Sequence, residues 1–141
     1  MEKSTTQLLE ELHGCQEFRS FYSDNSLSLL QDTPLAELLA QLLTQHGIKK
    51  SEAIRRSELS EIYAYQIFSG IRIPERKKLL SLAVGMGLNL SELQKLLKCA
   101  GYAQLYVKKP FDCIVIYGVC KNLTVAAINE LLFDYGQDTL G

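Results

Sequence analysis

Leucines recur at three- and four-residue spacing through much of the chain, and this pattern predicts amphipathic α-helices. The clearest run spans residues 35–43. Thr33 can cap a helix there, with Pro34 at its first position, and Gly47 after His46 is a typical helix stop. Segments that alternate between apolar and polar residues are scarce. We therefore expect an all-α protein of eight or nine helices.

Residues 49–90 contain the succession around which the chain is organised. A short basic helix is predicted over residues 50–57, and a turn follows at Glu58. Ser60 is a suitable cap for a second short helix that extends to Ser69. Gly70-x-x-x-Pro74 then breaks the pattern before a longer apolar helix. After that helix, Asn89 and Glu92 form a capping-box-like pair. Two short helices joined by a tight turn are typical of a helix-turn-helix DNA reader.

The distribution of charge along the chain also favours a DNA-binding role for this region. The net charge of the whole chain is −1, but the sum is −5 over residues 1–46, +4 over residues 47–80 and zero over residues 81–141. A local excess of lysine and arginine attracts phosphate groups. The only basic region of the chain therefore coincides with the predicted helix pair.

Residues 35–98 resemble the XRE-type, lambda-repressor-like helix-turn-helix family. The matching features are the helix Leu35–His46, the pair Lys50–Ser57 and Ser60–Ser69, Gly70-x-x-x-Pro74, and the segment LLSLAVGMGLNLSEL at residues 79–93. The resemblance implies a five-helix core and a sequence-specific transcriptional regulator that binds double-stranded DNA. In that family the first helix of the pair crosses the phosphates, and the second enters the major groove.

The resemblance also implies which side chains meet DNA. Lys50 takes a phosphate role at the start of the first helix. Gln66 would pair with adenine, Glu61 would accept from cytosine, and Ile62 would touch a thymine methyl. The remaining expected contacts are Ser60 to a base and four further residues to phosphates, namely Tyr63, Arg72, Arg76 and Lys77.

The chain departs from the family pattern in its first helix and turn, where Ile54 replaces the usual alanine and Glu58 the usual glycine. The helix at residues 60–69 also contains no lysine or arginine and is rich in tyrosine and isoleucine. A second interpretation is therefore a helical module that keeps the repressor-like fold and binds a partner protein. Its contact surface would include Ile62, Tyr63 and Tyr65.

The flanks extend the core on both sides. Residues 1–32 are predicted to be a helical N-terminal extension, residues 33–101 the helix-turn-helix domain, and residues 102–141 a C-terminal extension packed on it. Phe111–Val119 contains enough β-branched residues to form a strand, but the all-α context favours a helix. Thr124 caps a second helix, which Gly136 ends. The resulting helical hairpin either covers the core or forms a homodimer surface.

Other chemistry is not indicated. The sequence has no glycine-rich phosphate loop, nucleophile–base pair or metal-ligand spacing, so we expect no enzymatic activity and no cofactor. The cysteines at positions 15, 99, 113 and 120 are expected to be buried reduced thiols of a cytoplasmic protein. The acidic N-terminus does not resemble a signal peptide, and no apolar run is long enough to span a membrane.

Overall fold

The computed structural model of the chain describes residues 3–25 and 34–141. These residues form nine α-helices and no β-strand, which confirms the all-α prediction. They fall into two compact units, residues 3–25 and residues 34–141. The first unit contains α1 (Thr5–Gly14) and α2 (Phe18–Asn25). The second contains α3 (Leu35–His46), α4 (Lys50–Ser57), α5 (Glu61–Ser69), α6 (Arg76–Gly85), α7 (Leu90–Cys99), α8 (Pro110–Cys120) and α9 (Val125–Asp134).

The N-terminal unit is a pair of short helices. A capping box starts α1: Ser4 Oγ accepts from Gln7 N, and the Gln7 side chain accepts from Ser4 N. In α2 the Phe18 ring lies 6.1 Å, centroid to centroid, from the rings of Phe21 and Tyr22. No residue of α1 is buried. Helix α1 therefore has no buried side chains of the kind that stabilise the second unit.

The start of α3 differs from the prediction by one position. Pro34 is the N-cap of α3 and not its first helical residue, and it has no side chain that could bond the free amides. The predicted cap, Thr33, lies outside the described residues. The predicted stop is confirmed: Gly47 has φ +60°, and its N–H donates to the carbonyls of Leu43 and Thr44.

The core of the second unit is one cluster of apolar side chains drawn from all seven of its helices. Its fully buried large members are Leu39, Ile67, Leu79, Leu80, Leu82, Met86, Leu93, Leu96, Leu97, Ile128, Leu132 and Leu140. Each such side chain contributes roughly 1.5–3 kcal/mol when buried. Because the cluster includes residues of α8, α9 and the segment after α9, residues 102–141 pack on helices α3–α7.

Residues 110–120 are helical, which confirms the choice of a helix over a strand for this segment. Pro110 occupies the first turn of α8, where its missing N–H costs nothing. Thr124 Oγ1 accepts from Ala127 N at 3.2 Å and caps α9 as predicted. Gly118 faces α9 so closely that an added Cβ would lie 2.4 Å from Ile128 Cγ1. A glycine therefore allows the two helices of the hairpin to approach.

The prediction for the cysteines is wrong with respect to burial. Cys15 and Cys99 are half-buried, and Cys113 and Cys120 are exposed. The reason for the last two is the orientation of α8, which buries Asp112, Val115, Gly118 and Val119 on the opposite face.

The turn between α4 and α5 is built without the usual glycine. Glu58 adopts the left-handed conformation, with φ +60° and ψ +14°. The buried Ser57 hydroxyl supports this turn, since it donates to Ile54 O at 2.6 Å and accepts from Leu59 N at 3.3 Å. Ser60 Oγ then accepts from Tyr63 N and caps α5. Side-chain hydrogen bonds therefore fix the angle at which α5 leaves the turn.

Helices α4 and α6 approach each other closely at Gly85. A Cβ added to Gly85 would lie 2.6 Å from Ala53 O and 2.6 Å from Ser57 N. Both obstacles are backbone atoms, so they cannot move as a flexible side chain would. Only glycine permits this spacing of α4 and α6.

We expect Gly85→Ala to lower the free energy of unfolding by about 1–3 kcal/mol, because overpacking at this contact would separate α4 from α6. Urea unfolding followed by circular dichroism measures the change. Gly14→Ala is the matched control, since Gly14 also lies in a helix but has no heavy atom near the position of an added Cβ. Equal effects of the two changes would contradict the packing argument.

The C-terminus of α3 and the N-terminus of α7 are joined by a hydrogen-bond contact between His46 and Glu92. His46 Nε2 lies 2.9 Å from each carboxylate oxygen of Glu92. Glu92 also accepts from Asn89 N at 3.0 Å in the predicted capping box, which the structure confirms. Partial burial raises the pKa of Glu92, but the Asn89 hydrogen bond and the His46 interaction outweigh burial. The pKa of Glu92 therefore lies below its usual value of 4.5.

Because the pKa of Glu92 is lower in the folded chain, its carboxylate should stabilise the fold fully above the unfolded-state pKa. That stability should be lost as pH falls below 4.5 through the folded-state pKa. Glu92→Gln should remove this acid-dependent part of the stability, since glutamine does not titrate. Urea unfolding between about pH 7 and about pH 3 measures it. The control Glu130→Gln, at an exposed position of α9, should retain the pH dependence of the unmodified chain. An unchanged profile for Glu92→Gln would contradict the assignment.

Candidate nucleic-acid interface

The outward face of α5 consists of the residues that the sequence predicted. Ala64, Ile67 and Phe68 are buried against the core. Glu61 is exposed, and Ile62 leaves 75% of its surface uncovered. Because Ser60 caps the helix, its first two turns are ordered without help from a ligand. This face is therefore a preformed surface that a partner can meet without folding it.

Gln66 has a defined orientation. Arg72 Nε donates to Gln66 Oε1 at 2.8 Å, and the backbone N–H groups of Ile71 and Arg72 both donate to Gln66 O. The side-chain amide is half-buried, with its oxygen directed to Arg72. One lone pair of Oε1 and both Nε2 hydrogens remain for another partner. This is the donor–acceptor pair that a bidentate contact with adenine uses.

Three cations from neighbouring segments contact aromatic rings of α5. The Arg72 guanidinium lies 5.1 Å and Lys78 Nζ 5.4 Å from the centre of the Tyr63 ring. Lys50 Nζ lies 5.5 Å from the centre of the Phe68 ring. We call Lys50, Arg72 and Lys78 the cation collar.

Within residues 3–25 and 34–141, no member of the cation collar forms an ion pair. The rings hold the three cations by cation–π attraction, which does not neutralise their charge. Although α5 itself has no lysine or arginine, positive charge therefore lies beside it.

Arg76 and Lys77 were expected to contact phosphates, but both contact the C-terminal extension. Arg76 donates from Nη1 and Nη2 to the two carboxylate oxygens of Asp112, at 3.2 Å each, and from Nε to Ala103 O. Asp112 is 2% exposed and accepts a third bond from Tyr106 N at 2.9 Å. Lys77 Nζ donates to Asp138 Oδ2 at 3.0 Å. The Arg76 guanidinium is thus committed to a structural ion pair.

Two exposed isoleucines were not identified from the sequence. Ile71 and Ile73, in the loop after α5, are 79% and 74% exposed. Both belong to the Gly70-x-x-x-Pro74 break, a short connection in which Pro74 is the buried residue. The sequence did contain a signal for this exposure, since Ile71 and Ile73 alternate with Arg72 in a loop too short to bury both of them. Lys78 was also missed, although it continues the basic run that begins at Arg76.

No protein-family model matches this chain, and neither the curated proteins nor the solved structures include a match. The described residues also contain no cluster of three or more histidine, cysteine, aspartate or glutamate side chains that could hold a metal ion. Across the same residues, every helix is too short or too polar to cross a bilayer. The geometry of α4, α5 and their neighbours is therefore the basis for a functional proposal.

The different surroundings of Arg76 and Arg72 lead to a stability prediction. Arg76→Ala should lower the free energy of unfolding by roughly 2–3 kcal/mol, because it leaves the buried Asp112 carboxylate without its counter-charge. Arg72→Ala should change it by no more than about 0.5 kcal/mol, since Arg72 is exposed. Urea unfolding of both variants at neutral pH makes the comparison. Equal losses would show that the ion pair with Asp112 has no special role.

Proposed function

We propose that this protein is a sequence-specific DNA-binding transcriptional regulator that places α5 in the major groove and α4 across the phosphates. The observation that carries the proposal is the cation collar beside a helix whose outward face is free of charge except for Glu61. A groove-reading helix needs positive charge near the flanking phosphates and neutral polar or apolar groups toward the bases. The arrangement of α5 and the collar meets both requirements.

The phosphate part of the proposal rests on Lys50, Arg72 and Lys78. Each phosphate that a cation neutralises contributes about −0.9 to the slope of log K against log salt concentration. Arg76 and Lys77 are left out of the proposed contacts because their charges are already paired with Asp112 and Asp138. We therefore expect the salt slope of DNA binding to reflect about three phosphate contacts per chain in this region.

The base-reading part rests on Gln66, Glu61 and Ile62. Gln66 is the best-defined candidate for base recognition. The hydrogen bond that Arg72 Nε donates to Gln66 Oε1 fixes the orientation of the side-chain amide. Ser60 Oγ already accepts the hydrogen bond that caps the helix, so its hydroxyl hydrogen and one lone pair are available for a base. Ile62 would contact a thymine methyl as an apolar group.

Selection of sites from a random pool of double-stranded DNA, followed by salt titration of the enriched site, tests the proposal. Lys50→Ala and Lys78→Ala should each weaken binding to all sequences alike and flatten the salt slope by about 0.9. Gln66→Ala should instead cost about 1–3 kcal/mol at one base position and relax the preference there. Lys98→Ala, an exposed lysine in the last turn of α7, is the matched control and should leave both quantities unchanged.

Failure to enrich any sequence, together with affinity that does not change between low and high salt, would overturn the DNA proposal. The exposed isoleucines at positions 62, 71 and 73 favour one second function, which is the binding of a partner protein through α5 and the following loop. Large apolar side chains that remain uncovered are typical of such surfaces. In that case Gln66→Ala should have little effect on partner binding, whereas Ile62→Asp should abolish it.

A further inference from the structure

Arg72 is held at three points beside α5, although its side chain is exposed. Its backbone N–H donates to Gln66 O at 3.2 Å, and its guanidinium lies 5.1 Å from the centre of the Tyr63 ring. Its Nε donates to Gln66 Oε1 at 2.8 Å. An exposed arginine without such contacts would move among many rotamers. The fold therefore fixes Arg72 against one polar side chain in particular, that of Gln66.

The turn that ends α5 brings Arg72 back to Gln66, which lies six residues earlier in the chain. Gly70 has φ +84°, in the left-handed region, and its N–H donates to Ile67 O. The N–H of Ile71 donates to Gln66 O at 3.1 Å. After a helix stop of this kind the chain reverses alongside the last turn of the helix. The contact between Arg72 and Gln66 is thus a product of the helix stop and needs no ligand to form.

The hydrogen bond from Arg72 selects one of two orientations of the Gln66 amide. The orientations differ by half a turn about the last side-chain bond, which exchanges the positions of Oε1 and Nε2. In the orientation observed, Oε1 accepts from Arg72 Nε. In the other, the Nε2 hydrogens would face the N–H of a cation, and neither group can accept a hydrogen bond. Arg72 therefore excludes the second orientation.

A fixed amide presents one pattern of donor and acceptor to a base edge. Adenine offers the acceptor N7 beside the N6 amine, and glutamine matches both only with Nε2 toward N7 and Oε1 toward N6. An amide that turns freely also meets other base edges, so it discriminates less between bases. A side chain that is already in its bound orientation also loses less conformational entropy on binding. A fixed Gln66 therefore favours one base more strongly than a mobile one.

Arg72 keeps most of its donors for a second partner. A guanidinium has five N–H groups, and Nε uses one of them for Gln66. Across the described part of the chain, no carboxylate or carbonyl oxygen accepts from the Nη groups. Their planar, forked arrangement suits a phosphate. One side chain can thus connect a phosphate to the residue that reads the base.

We propose that Arg72 is a positioning residue for base recognition: its Nη groups bind a DNA phosphate while its Nε holds the Gln66 amide in the orientation that matches adenine. This inference rests on the proposed DNA-binding function and deepens it, since phosphate contacts alone carry no sequence information. It also separates Arg72 from the rest of the cation collar. Among the described residues, Lys50 and Lys78 contact aromatic rings and form no hydrogen bond with Gln66.

Arg72→Lys tests the proposal, because it keeps the positive charge and removes Nε. Gln66→Ala first identifies the base position that Gln66 reads. Dissociation constants are then measured for the enriched site and for its single-base variants at that position. Arg72→Lys should reduce the discrimination between them by about two- to tenfold, which corresponds to one hydrogen bond. The salt slope should stay the same, since the number of cations is unchanged.

A second background shows whether Arg72 acts through Gln66. Combined with Gln66→Ala, Arg72→Lys should cause no further loss of discrimination, because the amide that it positions is absent. Arg19→Lys, at an exposed position of α2, is the matched control and should leave the discrimination and the salt slope unchanged. Equal discrimination by Arg72→Lys and the unmodified chain would overturn the positioning role alone. An unmodified chain that enriches no DNA sequence would overturn the proposed function, and this inference with it.

A measurement without DNA tests the hydrogen bond itself. In NMR of the isotope-labelled free protein, the Arg72 Nε–H should exchange with water more slowly than the Nε–H of Arg19. Gln66→Ala should remove this difference, because it removes the acceptor. Equal exchange of the two arginines in the unmodified chain would overturn the proposal even if the protein binds DNA. Slow exchange that persists in Gln66→Ala would overturn it as well, since another group would then hold Nε.

Discussion

The burial of α6 on nearly all of its sides is the constraint on which the second unit depends. Residues 79–83 are all buried, as is Gly85, and α6 packs on α4, α7 and α9. A helix in this position leaves its neighbours little freedom, because each must fit a different part of its surface. The fit is close at Gly85, where α4 approaches to within backbone contact. The placement of α4, and hence of α5 after the Glu58 turn, follows from this central helix.

The basic residues at the start of α6 make two kinds of contact: some form ion pairs, and one lies over an aromatic ring. Arg76 and Lys77, at its N-terminus, pair with Asp112 and Asp138 of the C-terminal extension, whereas Lys78 lies over the Tyr63 ring of α5. Arg55 and Arg56 of α4 are likewise within ion-pair distance of Glu52. A count of charges along residues 47–80 therefore overstates the cations that are available to a partner. Within the described residues, Lys49 and the cation collar are the members of this basic region that form no ion pair.

The sequence was sufficient to predict the local features of the fold. The helical spans, the Ser60 cap and the Asn89–Glu92 capping box follow from interactions over a few residues, whereas the helical state of residues 111–119 was predicted from the all-α context. It could not predict the partner of Arg76, which is 36 residues away, or that of His46, which is 46 residues away. Such pairs depend on how helices pack and not on the pattern within any one helix. The exposure of Cys113 and Cys120 was missed for the same reason, since periodicity did not show which face of an almost uniformly apolar helix would be covered.

Apolar side chains remain exposed in several parts of the second unit, and some of them lie beside cations. Ile62, Ile71 and Ile73 belong to α5 and its following loop, where Lys50, Arg72 and Lys78 supply positive charge. Tyr117 of α8 is also exposed, and Lys121 Nζ lies 6.0 Å from the centre of its ring. A surface that combines apolar groups with cations repels a copy of itself and attracts an anionic partner. The contacts between these cations and the rings depend on how the helices pack, so composition alone does not show which exposed apolar groups lie beside positive charge.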